Sequence, residues 1–133
     1  WASEFGQNEL DELNLVRGAK NYGWPLYEGP GDDPSYVDPQ VTWPTSEASP
    51  SGLAIVDDVA YVAALRGERL WQVPVRDGEA GKPRAWFTGE LGRLRTVELA
   101  PDGSLWLVTN NTDGRGSPRD GDDRILRLTL TTD

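Results

Sequence analysis

The stretch GELGRLRTVELAPDGSLWLVTNN, residues 89–111, decides the fold, because it predicts two antiparallel strands joined by a tight turn. The first strand carries Leu94, Val97 and Leu99, and the second carries the apolar run LWLV at residues 105–108. The turn between them is Pro-Asp-Gly at residues 101–103. Arg93 and Arg95 stand at the entrance of the first strand, and a period of two predicts that both project from the same face. Paired guanidinium groups suit carboxylates or phosphates, so this pair is a candidate anion site.

The same arrangement recurs along the chain. An apolar strand, a polar connection and a charged residue that opens a second strand occur in residues 1–16, 61–73 and 105–128. The latter two units follow an extra apolar strand and an acidic turn, Asp57-Asp58 or Asp102-Gly103. Units of about 40 to 60 residues made of short antiparallel strands are typical of propeller blades. We therefore predict an all-β fold, a β-propeller of which this chain covers about two and a half blades.

That number of blades leaves the ring open, because propellers typically have about 4 to 8 blades. We expect residues 1–133 to form the C-terminal portion of a single propeller domain whose N-terminal blades lie outside this chain. The open faces and strand edges would then be covered by the remaining N-terminal half.

Composition excludes several functions. The net charge of −9, with 22 acidic residues among 133, argues against a nucleic-acid or anionic-membrane partner. No apolar run approaches the length that membrane insertion requires. Cysteine and histidine are both absent, which removes disulfides, thiolate metal sites and the commonest general base from these residues.

Other conspicuous residues have structural interpretations. Four tryptophans are predicted to lie in the blade cores: Trp1, Trp24, Trp71 and Trp106. The acidic loop at residues 113–123 lacks the spacing of an EF-hand, so a solvated loop in which Asp122 or Asp123 accepts bonds from backbone amides is favoured over a calcium site. The carboxylates of Glu9, Asp11 and Glu12 are interpreted as turn formers and surface charge.

The order of several short motifs resembles a known family. The segments SEFGQN at residues 3–8, DELNL at 11–15 and KNYGWP at 20–25 resemble the soluble pyrroloquinoline quinone (PQQ)-dependent aldose and glucose dehydrogenases of the glucose/sorbosone dehydrogenase family. Further motifs continue the resemblance in family order, at residues 43–45, 65–67, 92–95, 101–103 and 122–126.

The resemblance implies a six-bladed propeller with PQQ across the top of the central channel, beside a calcium ion. It implies oxidation of an aldose sugar at C1 to a lactone, with the electrons passed to an external acceptor. PQQ is a planar tricarboxylate, which guanidinium groups can neutralise and cover. Calcium accepts backbone carbonyl ligands in irregular geometry.

The resemblance also assigns roles to residues of this chain. Arg66 matches a basic residue placed against the acid groups of the quinone, and Arg93 and Arg95 match an arginine pair that embraces its carboxylates. Trp43 and Thr45 match a loop that borders the cofactor. Taken alone, these arginines also fit solvated or salt-bridged surface positions, and Trp43 also fits a residue that packs a loop.

The implied metal ligands are backbone carbonyls. Gly6 and Gln7 match a Gly-Pro step whose carbonyl oxygens ligate calcium, with Gln7 in place of the usual proline. A carbonyl ligand does not depend on the side chain, so the replacement is compatible with the site.

The catalytic base of the family is a histidine, and this chain contains none. No catalytic residue is therefore predicted in this chain, and we expect it to be inactive toward sugars without the N-terminal half. A periplasmic or secreted location follows from the family alone. The alternative is a non-catalytic extracellular propeller that serves as a binding or scaffold module.

Overall fold

The structure is a computed structural model that describes residues 1–131, which form eleven β-strands. The strands are β1 (Ala2–Glu4), β2 (Leu10–Asn14), β3 (Val41–Pro44), β4 (Pro50–Val56), β5 (Val59–Ala64), β6 (Arg69–Arg76), β7 (Glu79–Ala80), β8 (Arg84–Trp86), β9 (Leu94–Leu99), β10 (Leu105–Thr109) and β11 (Ile125–Leu128). Residues 1–131 contain no helix that is long and apolar enough to cross a membrane. The predicted all-β class is confirmed.

The strands form three antiparallel sheets. The first has the order β1-β2-β3, the second β4-β5-β6-β7 with β8 also paired to β6, and the third β11-β10-β9. Each sheet contains one of the repeats found in the sequence, as the hairpins β1-β2, β5-β6 and β10-β11. The repeat is therefore structural, with one unit per sheet.

The three sheets pack face to face, and each of two apolar cores fills the space between a pair of them. The core between the first and second sheets includes Leu13, Trp43 and Val73. The core between the second and third sheets includes Leu70, Leu105 and Leu107. Successive side chains of a strand point to opposite faces, so β5 of the second sheet contributes Val62 to the first core and Tyr61 to the second.

The predicted turns are present, and their backbone angles explain the residues used. Asp57 and Asp58 both have positive φ, 47° and 59°, which suits the two-residue hairpin that joins β4 to β5. Aspartate tolerates this left-handed region better than most side chains. The Pro-Asp-Gly turn between β9 and β10 ends on Gly103 with φ 82°.

The predicted placement of two tryptophans in the core is wrong. The side chains of Trp24 and Trp106 are 49% and 47% exposed. Trp43 is instead 3% exposed and stacks on Trp71, with 5.5 Å between the ring centroids. Trp24 lies in the long loop between β2 and β3, and Trp106 lies on the face of β10 opposite to the core residues Leu105 and Leu107.

Strands β7 and β8 were not predicted. Both pair only with β6. With two and three residues, they are too short to show an apolar pattern in the sequence.

The loops that carry the predicted site residues meet at one end of the sheets. The antiparallel registers Glu4↔Glu12 and Leu10↔Pro44 bring the β1-β2 and β3-β4 connections to the same end of the first sheet. The pairing Ala64↔Arg69 places the β5-β6 turn, and Val108↔Ile125 places the β10-β11 loop, at the corresponding ends of their sheets. Residues distant in sequence are thereby gathered around one cleft.

Candidate cofactor-binding cleft

A cleft with a cavity volume of about 590 Å³ opens at this end of the sheets. Five of the seven predicted site residues line it: Gly6, Gln7, Thr45, Arg66 and Arg93. Arg115, which was assigned to no site from the sequence, also lines it.

Arg66 is presented by the tight turn between β5 and β6. The backbone N–H of Gly67 donates to the carbonyl of Ala48 at 3.0 Å, and that of Leu65 donates to Ser49 at 3.0 Å. A Cβ at position 67 would lie 1.9 Å from the carbonyl oxygen of Glu47, so only glycine allows this approach. The turn is thus fixed against the β3-β4 loop, and the exposed guanidinium of Arg66 lies at the cleft.

Thr45 connects three parts of the cleft. Its backbone N–H donates to the carbonyl of Glu9 at 3.1 Å, and its hydroxyl donates to that of Asn8 at 3.3 Å. The same hydroxyl accepts a long bond of 3.4 Å from Nη1 of Arg66. The segment that carries Gly6 and Gln7 is therefore joined through one side chain to the turn that carries Arg66.

Two carboxylates hold the backbone of the β1-β2 loop. Glu28 accepts bonds from four consecutive amides, those of residues 7–10, at 2.7 to 3.3 Å. The buried Asp11 accepts the amide of Gly6 at 2.9 Å and that of Ser49 at 2.6 Å. The amides of Glu9 and Leu10 make the largest contributions to lowering the pKa of the Glu28 carboxyl from its usual value.

This arrangement leaves Gly6 and Gln7 suited to bind a cation through their carbonyls. Their N–H groups are taken by Asp11 and Glu28, and no described residue donates a hydrogen bond to their carbonyl oxygens. No group of three His, Cys, Asp or Glu residues that could hold a metal ion occurs within residues 1–131. A metal ion in this cleft would therefore be coordinated by backbone carbonyl oxygens and by oxygens of a molecule bound in the cleft. Calcium accepts oxygen donors of this kind.

Arg93 is held by an acidic partner. Its Nη2 and Nε lie 2.9 and 3.2 Å from Oδ2 of Asp113, and its side chain is largely buried. Oδ1 of Asp113 accepts the amide of Arg115 at 2.9 Å, which is the largest cause of the lowered pKa of Asp113. One carboxylate therefore fixes both the guanidinium of Arg93 and the backbone of Arg115.

The loop that carries Asp113 and Arg115, between β10 and β11, is anchored by buried polar groups. Asn111, only 3% exposed, accepts the amide of Arg93 at 2.8 Å and donates to Asp122 at 3.0 Å. Asp123 accepts bonds from the amides of Asn111 and Thr112. The prediction that Asp122 or Asp123 bonds backbone amides in this loop is confirmed, since Asp122 also accepts the amide of Arg119.

Arg95 and Trp43 do not line the cleft. Leu94 pairs with Thr109, and Thr96 pairs with Val108, so Arg95 forms a β-bulge. The bulge interrupts the period of two from which Arg93 and Arg95 were predicted to project from the same face. Arg95 is exposed, whereas Trp43 lies in the core two residues before Thr45. Direct contact of either residue with a cofactor stays a prediction.

Three functional candidates were missed in the sequence: Glu28, Asp113 and Arg115. Glu28 lies about 20 residues from the amides that it binds, and no local motif marks that distance. Asp113 and Arg115 belong to the loop interpreted as solvated, and only the pairing of β10 with β9 and β11 brings that loop to the cleft.

Comparison with known proteins decides the family. The family model for glucose/sorbosone dehydrogenase matches residues 1–127. The chain belongs to the glucose/sorbosone dehydrogenase family. Among curated proteins, the aldose sugar dehydrogenase YliI of Escherichia coli K12 is 25% identical over 90% of this chain and 38% of its own length.

Solved structures of family members show the same fold. The PQQ-bound aldose sugar dehydrogenase of Streptomyces coelicolor is 53% identical, with a TM-score of 0.89 over 95% of this chain and 38% of its own. A Thermus thermophilus oxidoreductase named as a glucose dehydrogenase is 40% identical, with a TM-score of 0.84 over 96% of this chain and 40% of its own. The predicted β-propeller fold is confirmed, and the chain spans about two fifths of the length of these proteins.

Proposed function

We propose that this chain is the part of a PQQ- and calcium-dependent aldose sugar dehydrogenase that supplies one side of the cofactor pocket. The whole protein would oxidise an aldose at C1 to a lactone and pass the electrons to an external acceptor. The proposal extends to the remaining N-terminal half of the propeller as its structural partner, with the protein periplasmic or secreted.

The observation that carries the proposal is the gathering of three guanidinium groups around one cleft in an acidic protein. Arg66, Arg93 and Arg115 line the cleft, although the chain has a net charge of −9. A concentration of positive charge on an otherwise negative surface favours a polyanionic ligand. PQQ, which the Streptomyces coelicolor relative binds, is a planar tricarboxylate and fits this charge pattern.

Different residues of the cleft would bind the cofactor and the calcium ion. Arg66 and Arg93 would bind carboxylates of the cofactor, and Thr45 would hold Arg66 near the β1-β2 loop. The carbonyls of Gly6 and Gln7 would hold calcium, while Glu28 and Asp11 fix their backbone. When bound, PQQ would supply the redox chemistry, and calcium would act as a Lewis acid beside it.

No proton transfer is assigned to these residues. The chain has no histidine, and the carboxylate of Asp11 already accepts hydrogen bonds from two backbone amides. We therefore expect the chain to bind the cofactor without oxidising sugar, with the catalytic base supplied by the N-terminal half.

A titration of PQQ into the chain at millimolar calcium tests the proposal, with intrinsic tryptophan fluorescence or calorimetry as the readout. We expect one-site binding that Arg66→Gln weakens by about tenfold, since a charge-assisted bond to a carboxylate is lost. Arg76→Gln removes the same charge at the opposite end of the second sheet and should leave the dissociation constant unchanged.

The same titration is repeated on a chimaera in which this chain replaces the matching segment of the Streptomyces coelicolor protein, so that a pocket completed by the other blades is also tested. Absence of binding in both folded proteins would contradict the proposal and favour the scaffold module.

A further inference from the structure

Arg115 faces the candidate cleft with its charge uncompensated. It lines the cleft, its residue is exposed, and it forms no ion pair with any of residues 1–131. Arg93 differs, because its guanidinium is paired with Asp113 at 2.9 Å and its positive charge is partly neutralised. The cleft therefore has two guanidinium groups without an ion-pair partner among residues 1–131, those of Arg66 and Arg115, in addition to the paired one.

The backbone around Arg115 is fixed in position. Its N–H donates to Oδ1 of Asp113, the carboxylate that also binds Arg93. A Cβ at Gly116 would lie 2.5 Å from the carbonyl oxygen and 2.7 Å from the Cα of Asn111, so the chain after Arg115 packs directly on buried backbone. A side chain that extends from such an anchored segment loses less freedom on binding than one on a free loop.

We propose that Arg115 is a further ligand-binding residue of this cleft and that it binds a carboxylate of the cofactor. This inference rests on the proposed function, because it takes the ligand to be the tricarboxylate PQQ. The three guanidinium groups that line the cleft, those of Arg66, Arg93 and Arg115, then equal the carboxylates of PQQ in number, whereas Arg95 does not line the cleft. The β10-β11 loop is accordingly part of the binding site.

The test is a PQQ titration of Arg115→Gln, in this chain and in the chimaera with the Streptomyces coelicolor protein. We expect the dissociation constant to rise by about tenfold, which corresponds to about 1.4 kcal/mol. Arg115→Lys keeps the charge but loses the planar fork, so its dissociation constant should lie between those of wild type and Arg115→Gln. Binding of PQQ to wild type should weaken with added salt, and this dependence should be smaller in Arg115→Gln.

Arg17→Gln is the matched control. It removes the same charge from an exposed position after β2, at the other end of the first sheet, and should bind PQQ like wild type. If Arg115→Gln binds within twofold of wild type while Arg66→Gln is weakened, the inference is overturned and the proposed function stands. If neither the wild-type chain nor the chimaera binds PQQ, the proposed function fails, and the role of Arg115 fails with it.

Discussion

Gly67 shows how one residue without a side chain positions a charged neighbour. The β5-β6 turn approaches the backbone of Glu47 so closely that a Cβ would lie 1.9 Å from its carbonyl oxygen. Because the obstacle is backbone, it cannot rotate away as a flexible side chain would. The position of Arg66 at the cleft therefore depends on the glycine that follows it.

Gly67→Ala should lower the free energy of unfolding by about 1–3 kcal/mol, because the turn or the β3-β4 loop must shift to admit the methyl group. Urea denaturation followed by tryptophan fluorescence measures this. Gly18→Ala is the control, since nothing lies within 4 Å of a Cβ there, and its effect should stay within about 0.5 kcal/mol. Equal stability of the two variants would contradict the close approach described for Gly67.

At the scale of elements, the β1-β2 loop takes its shape from carboxylates that lie outside it. Four amides of residues 7–10 converge on Glu28, which belongs to the long loop between β2 and β3. The concave run of N–H groups binds an anion that the protein itself supplies. As a result, the carbonyls of Gly6 and Gln7 are left free of partners from the described residues.

Glu28→Gln should loosen this loop without unfolding the sheets. The neutral amide offers one weaker acceptor to four donors, so hydrogen exchange of the amides of residues 7–10 should be faster by about tenfold or more. Exchange in β5 and β10 should be unchanged. Glu9→Gln, an exposed substitution in the same loop, is the control and should leave the exchange of these amides as in wild type. Unchanged exchange in Glu28→Gln would show that the loop holds its shape by other means.

The elements could be predicted from the sequence where apolar segments and turn residues agree. The β9-β10 and β4-β5 hairpins were predicted because apolar segments flank a Pro-Asp-Gly and an Asp-Asp turn. The positive φ angles of Gly103, Asp57 and Asp58 explain why these residues stand in the turns. Two features could not be predicted, because each depends on a contact between distant segments. They are the bulge at Arg95 and the hydrogen bonds that Glu28 accepts from four amides. Family resemblance supplied the cleft residues that local patterns left ambiguous.

At the scale of the whole molecule, the second sheet buries both of its faces, whereas the third sheet packs on it with one face only. The other face of the third sheet has no partner among residues 1–131. Trp106 and Val108 project from the same side of β10, and the pairing Val108↔Ile125 adds Ile125 to that side. Trp106 is 47% exposed and Ile125 is 73% exposed. The tryptophan was predicted to be buried because aromatic residues dominate the buried area of such sheets. In this chain, the side of β10 that carries Trp106 packs on no other sheet of residues 1–131.

The chain on its own should therefore self-associate through this face. Exposed apolar patches on open sheets promote association, so the weight-average mass in sedimentation velocity should rise with protein concentration. The double variant Trp106→Gln/Ile125→Thr removes the apolar groups and should stay close to the monomer mass over the same range. Leu26→Gln, which changes an exposed leucine in the β2-β3 loop, should associate like wild type. Association that persists undiminished in the double variant would assign it to another surface, such as the edge of the first sheet.

In the chimaera with the Streptomyces coelicolor protein the neighbouring blade would cover the face, and the same double substitution should then lower stability instead of association.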